Sequence, residues 1–132
     1  MPSFHLQIVT PDGEFFDGPA QQVRVRTING DVAILDHHIP YVTALGTGEA
    51  SVTTEDGTVR KAAASGGMLS VAPETVRVVA TTFEWAEDID LDRAQRAKER
   101  AEERIKKARD AKELELAKAK LSRALVRLKV GQ

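Results

Sequence analysis

The texture of this sequence changes abruptly at Trp85, and that break constrains the fold more than any other feature. All five prolines and every glycine except Gly131 lie before residue 74, set between short runs rich in β-branched and aromatic residues. From Asp90 to Val130 there is no glycine and no proline, and Ala, Arg, Lys, Glu and Leu, the strongest helix formers, dominate. Such a division predicts an α+β chain: an antiparallel β sandwich of about ten strands over residues 1–85, then a two-helix antiparallel hairpin over residues 86–132.

The first part is punctuated as a β domain should be. Phe4–Thr10 runs into the turn residues Pro11-Asp12-Gly13, and Asp17-Gly18-Pro19 reads as a second breaker after Phe15-Phe16. Gln22–Ile28 alternates polar and apolar with period two, the pattern of a half-buried strand, and Asn29-Gly30-Asp31 turns it into Val32–Leu35. Glu55-Asp56-Gly57 lies between Ala50–Thr54 and Thr58–Ala64 as a hairpin turn. Many short strands at regular spacing argue for a sandwich or barrel.

In the second part, Asp88 or Asp90 supplies an N-cap. Ala94, Ala97, Ala101, Ile105 and Ala108 share one helical stripe, and Leu114, Ala117, Leu121, Leu125 and Leu128 share another. Lys107–Ala111 between them offers no apolar anchor and marks the bend. No glycine or proline fixes that bend, so one continuous helix satisfies the same pattern. A stripe of alanines buries only a few tens of Å2 per residue, a seal of about 1 kcal/mol or less per contact. The hairpin is therefore expected to be marginal without help.

Net charge is −1, but its distribution is uneven. Residues 1–85 carry five basic and ten acidic side chains, whereas residues 86–132 carry fourteen basic and ten acidic ones. With the bend near residue 110, Arg93 and Arg100 on one helix and Arg123 and Arg127 on the other converge on one patch. Guanidinium groups gathered without matching carboxylates repel, and a polyphosphate matches their bidentate donors best. The blander reading, a solvated charged face, fits the same spacing.

Other chemistry finds little purchase. His37 and His38 are adjacent and diverge on an extended segment, a poor metal pair. No HExxH, hydrolase triad signature or Walker loop is present. The lack of cysteine excludes disulfides and thiolate catalysis and fits a reducing compartment. Base stacking, which a nucleic-acid module would use, has no aromatic residue available after Trp85. Trp85 itself reads as a packing residue at the junction. These readings point to a non-catalytic subunit.

Three segments carry a resemblance. Phe4–Gly13, Gly30–Leu45 (GDVAILDHHIPYVTAL) and Ser65–Val71 (SGGMLSV), in this order and followed by two Ala/Arg-rich helices, make the whole chain resemble the epsilon subunit of bacterial F-type ATP synthases. One departure is Asp36-His37, where that family often has Pro-Gly. The resemblance implies a central-stalk rotor subunit, peripheral to the membrane at its cytoplasmic face through the complex alone. Its β domain would bind the gamma subunit and sit on the c-subunit ring, with the loop around Asp31 and His38 facing the ring. Its helices would fold against the β domain or extend toward an acidic loop of the beta subunits, the extended form inhibiting ATP hydrolysis. In a subset of the family the folded hairpin binds ATP through a motif Ile/Leu-Asp-x-x-Arg-Ala, which Ile89-Asp90-Leu91-Asp92-Arg93-Ala94 matches at each fixed position. Carried over, Ile89, Asp90 and Ala94 would hold the adenine, with Glu84 near the ribose. Arg93, Arg100, Arg123 and Arg127 would meet the phosphates. ATP would act as a regulatory ligand, not hydrolysed, with Mg2+ as its companion and no carboxylate marked out as a metal ligand. An alternative keeps the rotor role and leaves any ATP binding without regulatory effect.

Overall fold

The structure is a computed structural model that describes residues 2–132. Seven strands precede two helices: β1 (Phe4–Thr10), β2 (Gly13–Thr27), β3 (Gly30–Leu35), β4 (Tyr41–Ala44), β5 (Thr47–Thr54), β6 (Val59–Val71), β7 (Val76–Trp85), α1 (Leu91–Lys107) and α2 (Ala111–Gly131), with a 3-10 turn at Ala86–Asp88 before α1. Neighbouring strands run in the order β1-β7-β6-β5-β2, and β2 pairs back with β1, so the sheet closes on itself. β3 is added to β2, and β4 to β6. Closure removes most of the open edge that a sheet this size would otherwise expose.

The strand count is seven rather than about ten because two strands serve both layers. β2 passes a register shift between Ala20 and Gln22: its first half pairs with β1, its second with β3 and β5. β6 pairs with β5 as far as Ser65 and with β4 from Met68, bending at Gly66 and Gly67, both at positive φ. The expected break at Asp17-Gly18-Pro19 does not occur. Those residues continue β2 where β1 is its only neighbour, and a strand with an open edge tolerates a proline that cannot donate to the ladder.

Alternation fills the interior. Val23, Val25 and Thr27 are buried while Arg24 and Arg26 face out, and Leu6, Ile8, Leu69, Val76 and Val78 complete the centre. Each large aliphatic side chain so buried contributes about 1.5–3 kcal/mol. Thr27, the buried polar residue, is satisfied: its hydroxyl donates to the Gly30 carbonyl and accepts from the Asn29 N–H. At the far end of β7, Trp85 packs edge-on against Phe83 with centroids 4.9 Å apart.

Both helices start on an aspartate. The Asp90 carboxylate accepts from the Arg93 N–H, and that of Asp110 from the Glu113 N–H. The Glu113 carboxylate accepts in turn from the Arg109 N–H at 2.9 Å, so side-chain bonds on both sides of Asp110 fix the bend at Ala108–Asp110. The helix seam is built from Ala94 and Ala101 on α1 and Ala117 and Ala124 on α2. Leu114, Leu121 and Leu128 are half-buried and alternate with Ala117 and Ala124 on one face of α2, so the expected second stripe is the inward face except at Leu125, which is 45% exposed. α2 lies against β5 and β6.

Two substitutions test this account by urea denaturation. A Cβ on Gly67, at φ 100°, would sit 1.9 Å from the Val79 carbonyl oxygen, so Gly67→Ala should cost about 2–5 kcal/mol. His37 holds φ 61°, the left-handed conformation that a glycine adopts freely, so His37→Gly should raise stability by up to about 1 kcal/mol.

Candidate functional site

The helical spacing of the basic residues decides what lies between α1 and α2. Ala97, Arg100, Ala101 and Arg104 occupy one face of α1; Lys120, Arg123 and Arg127 occupy the facing side of α2. Together they line a cleft of about 270 Å3 with no carboxylate among its walls. The alanines form its floor, because a larger side chain there would fill the space. Arg123 and Arg127 are half-buried and also border the sandwich, beside Thr47, Ser65 and Thr82. Arg127 Nε lies 3.3 Å from Glu84 Oε1, a contact that ties α2 to the end of β7.

Three of the four arginines singled out by sequence thus gather: Arg100, Arg123 and Arg127. Arg93 does not line the cleft; it is exposed, one turn before Ala97. Ala94 is buried in the seam, Asp90 is engaged as the cap of α1, and Ile89 is half-buried beside Gly131 at the end of α2. Arg104 and Lys120 were missed. The signal was present, since Arg104 is four residues from Arg100 and Lys120 three from Arg123. Toward the bend a second cleft of about 540 Å3 continues the basic surface with Lys107 and Arg109. Both of its carboxylates are partnered: Glu103 with Lys107 at 3.2 Å, and Glu113 as a cap.

Asp31 and His38 do not share a loop. Asp31 sits at the start of β3, with a carboxylate oxygen 3.5 Å from Arg26, and His38 follows the other end of that strand. The ring nitrogens of His38 lie 2.9 Å from the Leu35 and Ala72 carbonyl oxygens, and Phe4 packs on it edge-on. On the outer face of the sandwich Ala44 pairs with Met68, Met68 with Val79, and Val79 with Val9. Met68, Val79 and the neighbouring Val42 are exposed there by 48%, 42% and 59%, an apolar patch that this chain leaves uncovered. Among the described residues no group of three His, Asp or Glu side chains is placed to hold a metal ion. Nor, among the described residues, is any helix long and apolar enough to cross a membrane.

Comparisons with known proteins follow this division of the chain. Residues 3–86 match the profile of the ATP synthase delta/epsilon chain beta-sandwich domain, and residues 87–132 that of the long alpha-helix domain. An ATP synthase epsilon chain of Bacillus velezensis is 42% identical over 131 residues, 99% of this chain and 98% of its own length. One from Halalkalibacterium halodurans is 40% identical over 132 residues, and one from Caldanaerobacter subterraneus 38% over 129, covering 98% and 94% of those chains. Among solved structures the fold is similar to a chain of the Euglena gracilis mitochondrial ATP synthase, with TM-score 0.80, 22% identity, and coverage of 92% of this chain and 78% of the other. It is also similar to one from the Tetrahymena thermophila central stalk and c-ring, with TM-score 0.67 and 14% identity over 99% and 98% of the two chains.

The Glu84–Arg127 contact gives a direct prediction. Both side chains are about a third exposed, so the pair is worth no more than about 1 kcal/mol. Glu84→Gln should therefore speed amide exchange in Arg123–Val130 up to about fivefold while the sandwich keeps its melting temperature. Exchange mass spectrometry reads both.

Proposed function

The chain belongs to the ATP synthase delta/epsilon family, and on that premise we propose that it is the epsilon-type rotor subunit of the central stalk, with helices that respond to ATP. The β sandwich is the anchor. Its uncovered patch around Val42, Met68 and Val79 has the apolar character that a gamma subunit would cover, and the end carrying Ile39, 82% exposed, with His38 is offered to the c-ring. Asp31, at the other end of β3, marks a second point for that contact. Attachment to the membrane's cytoplasmic face runs through these partners.

The helices are the moving part. Their alanine seam is a weak seal, and their inner faces carry cations that repel one another. A polyphosphate between them offsets that repulsion and bridges α1 to α2. The observation that carries this reading is the cleft of Arg100, Arg104, Lys120, Arg123 and Arg127 with no carboxylate in its wall. These residues suit a triphosphate as donors; Arg93 would join them by swinging its exposed side chain inward. Ile89, Asp90 and Ala94 stand at the neighbouring start of α1, where the adenine would lie, with Glu84 on the sandwich side. Any Mg2+ would enter with the phosphates rather than through a protein site.

ATP bound to the folded form alone favours it by RT ln(1 + [ATP]/Kd), about 2.7 kcal/mol at a hundredfold excess over Kd. That is enough to reverse a balance between conformers of nearly equal energy. When ATP falls the helices extend, and their basic surface is drawn to the acidic loop of the beta subunits, which slows ATP hydrolysis. In the alternative reading ATP stabilises the fold without governing inhibition.

Calorimetric titration of the full chain with ATP tests the first step. Binding is expected, weakened at least about tenfold by Arg100→Ala or Arg123→Ala and unchanged by Lys118→Ala, which lies outside the cleft. Absence of heat and of NMR shifts at millimolar ATP would end the nucleotide reading. Binding without any effect of ATP on hydrolysis by the assembled complex would select the alternative.

A further inference from the structure

Arg60 occupies a position that the rotor role does not use. It projects from β6 where that strand meets the end of β7, and its guanidinium carbon lies 3.7 Å from the centroid of the Trp85 ring. The same guanidinium donates to Glu87 at 2.9 Å, within the 3-10 turn Ala86–Asp88 that leads out of the sandwich. One side chain is thus stacked on the last residue of the sheet and bonded to the first turn beyond it. Arg60's hydrogen bond holds the Glu87 carboxyl below the usual carboxylate range. Arginine over tryptophan is the favoured cation–aromatic pair, and the planar guanidinium can stack and donate at once.

Beyond Asp88 the fastening stops. Ile89 and Asp90 are both extended, at φ −74°, ψ 123° and φ −83°, ψ 102°, between the 3-10 turn and α1. The backbone bonds there point opposite ways: the Ile89 N–H donates back to the Ala86 carbonyl at 3.3 Å, and the Asp90 carbonyl accepts from the Ala94 N–H of α1 at 3.0 Å, so the link between Ile89 and Asp90 joins the two bodies. The Ile89 side chain rests on Gly131, so its lateral support belongs to α2 and leaves with α2. Hinges are element-terminal residues of this kind, placed between two rigid bodies.

We infer that the helical pair pivots at Ile89–Asp90, and that Arg60, held between Trp85 and Glu87, is the clamp that keeps Ala86–Asp88 on the sandwich in every position of the arm. The inference rests on the proposed folded–extended change for the motion itself; the clamp stands on its own contacts. It divides the nucleotide-facing residues. Glu84 stays with the rotor anchor, whereas Ala94 and all the arginines of the cleft travel with the arm. A ligand that engages both sides locks the hinge directly.

The chain has no cysteine, so spin labels can be placed without removing a native thiol. Glu74→Cys in the β6–β7 turn is the reference, paired with Asp88→Cys in one full-length protein and Glu102→Cys in another, with and without ATP. The 74–88 distance should stay narrow and constant, while the 74–102 distance should broaden or lengthen when ATP is withdrawn. In the Arg60→Ala background the 74–88 distance should broaden, and amide exchange at Ala86–Asp88 should quicken about tenfold. Glu87→Gln, which keeps the arginine stacked on Trp85, should give a smaller version of the same change and serves if Arg60→Ala folds poorly. A 74–88 distance that moves together with 74–102 places the pivot before Ala86 and overturns the inference. So does a 74–88 distance that stays narrow in both variants. A constant 74–102 distance under all nucleotide conditions overturns the folded–extended reading instead, with the clamp still judged by the two variants.

Discussion

Ala94 and Ala101 on α1 and Ala117 and Ala124 on α2 are buried, and side chains this small let two helices come close while burying little apolar area. Close approach makes the basic residues of the two helices face each other across a narrow cleft. Shallow burial leaves too little adhesion to offset that repulsion by much. Larger side chains at the seam would seal the hairpin and fill the cleft floor formed by Ala97 and Ala101. Under the proposed function, the same choice of residue would let the arm open and would make an anion its fastener.

The sandwich has the opposite character. Its sheet closes through β1–β2 pairing, its centre is filled by fully buried Leu6, Ile8, Leu69, Val76 and Val78, and its last strand ends on a tryptophan packed against Phe83. Nothing in it needs to move for α2 to leave, because the face beneath α2 is lined by Thr47, Ser65, Thr82 and small alanines that water can wet. A rigid anchor and a loosely held arm are joined over only a few residues. In the proposed motion, the position of the clamp within those residues sets which groups would stay with the sandwich and which would move with the arm.

The division at Trp85, strand β1, the second half of β2, the start of β6, the cap on Asp90 and the bend near Asp110 were legible because each depends on neighbours in sequence: period-two burial, turn residues, capping side chains. The Asp110 cap on the Glu113 N–H was equally legible and was passed over. The helical offsets placed Arg100, Arg123 and Arg127 together, and the same offsets contain Arg104 and Lys120. Arg93 shows the limit of that method. Equal distance from a bend predicts equal height along a hairpin, yet the rotation of each helix about its own axis decides which residues face inward, and that rotation is set by alanine packing and by contact of α2 with β5 and β6.

What this sequence determined by itself was the kind of object: a β domain, a charged helical pair, a family, and a density of arginine on the helices. These follow from hydrogen-bonding periodicity and composition, which act over a few residues. Tertiary structure alone decided that two strands pass through both layers, that Leu125 faces solvent, and that Arg60 reaches across to Trp85 and Glu87. Each of these depends on how the sheet closes or how the helices dock on it, and no local pattern in the chain encodes that.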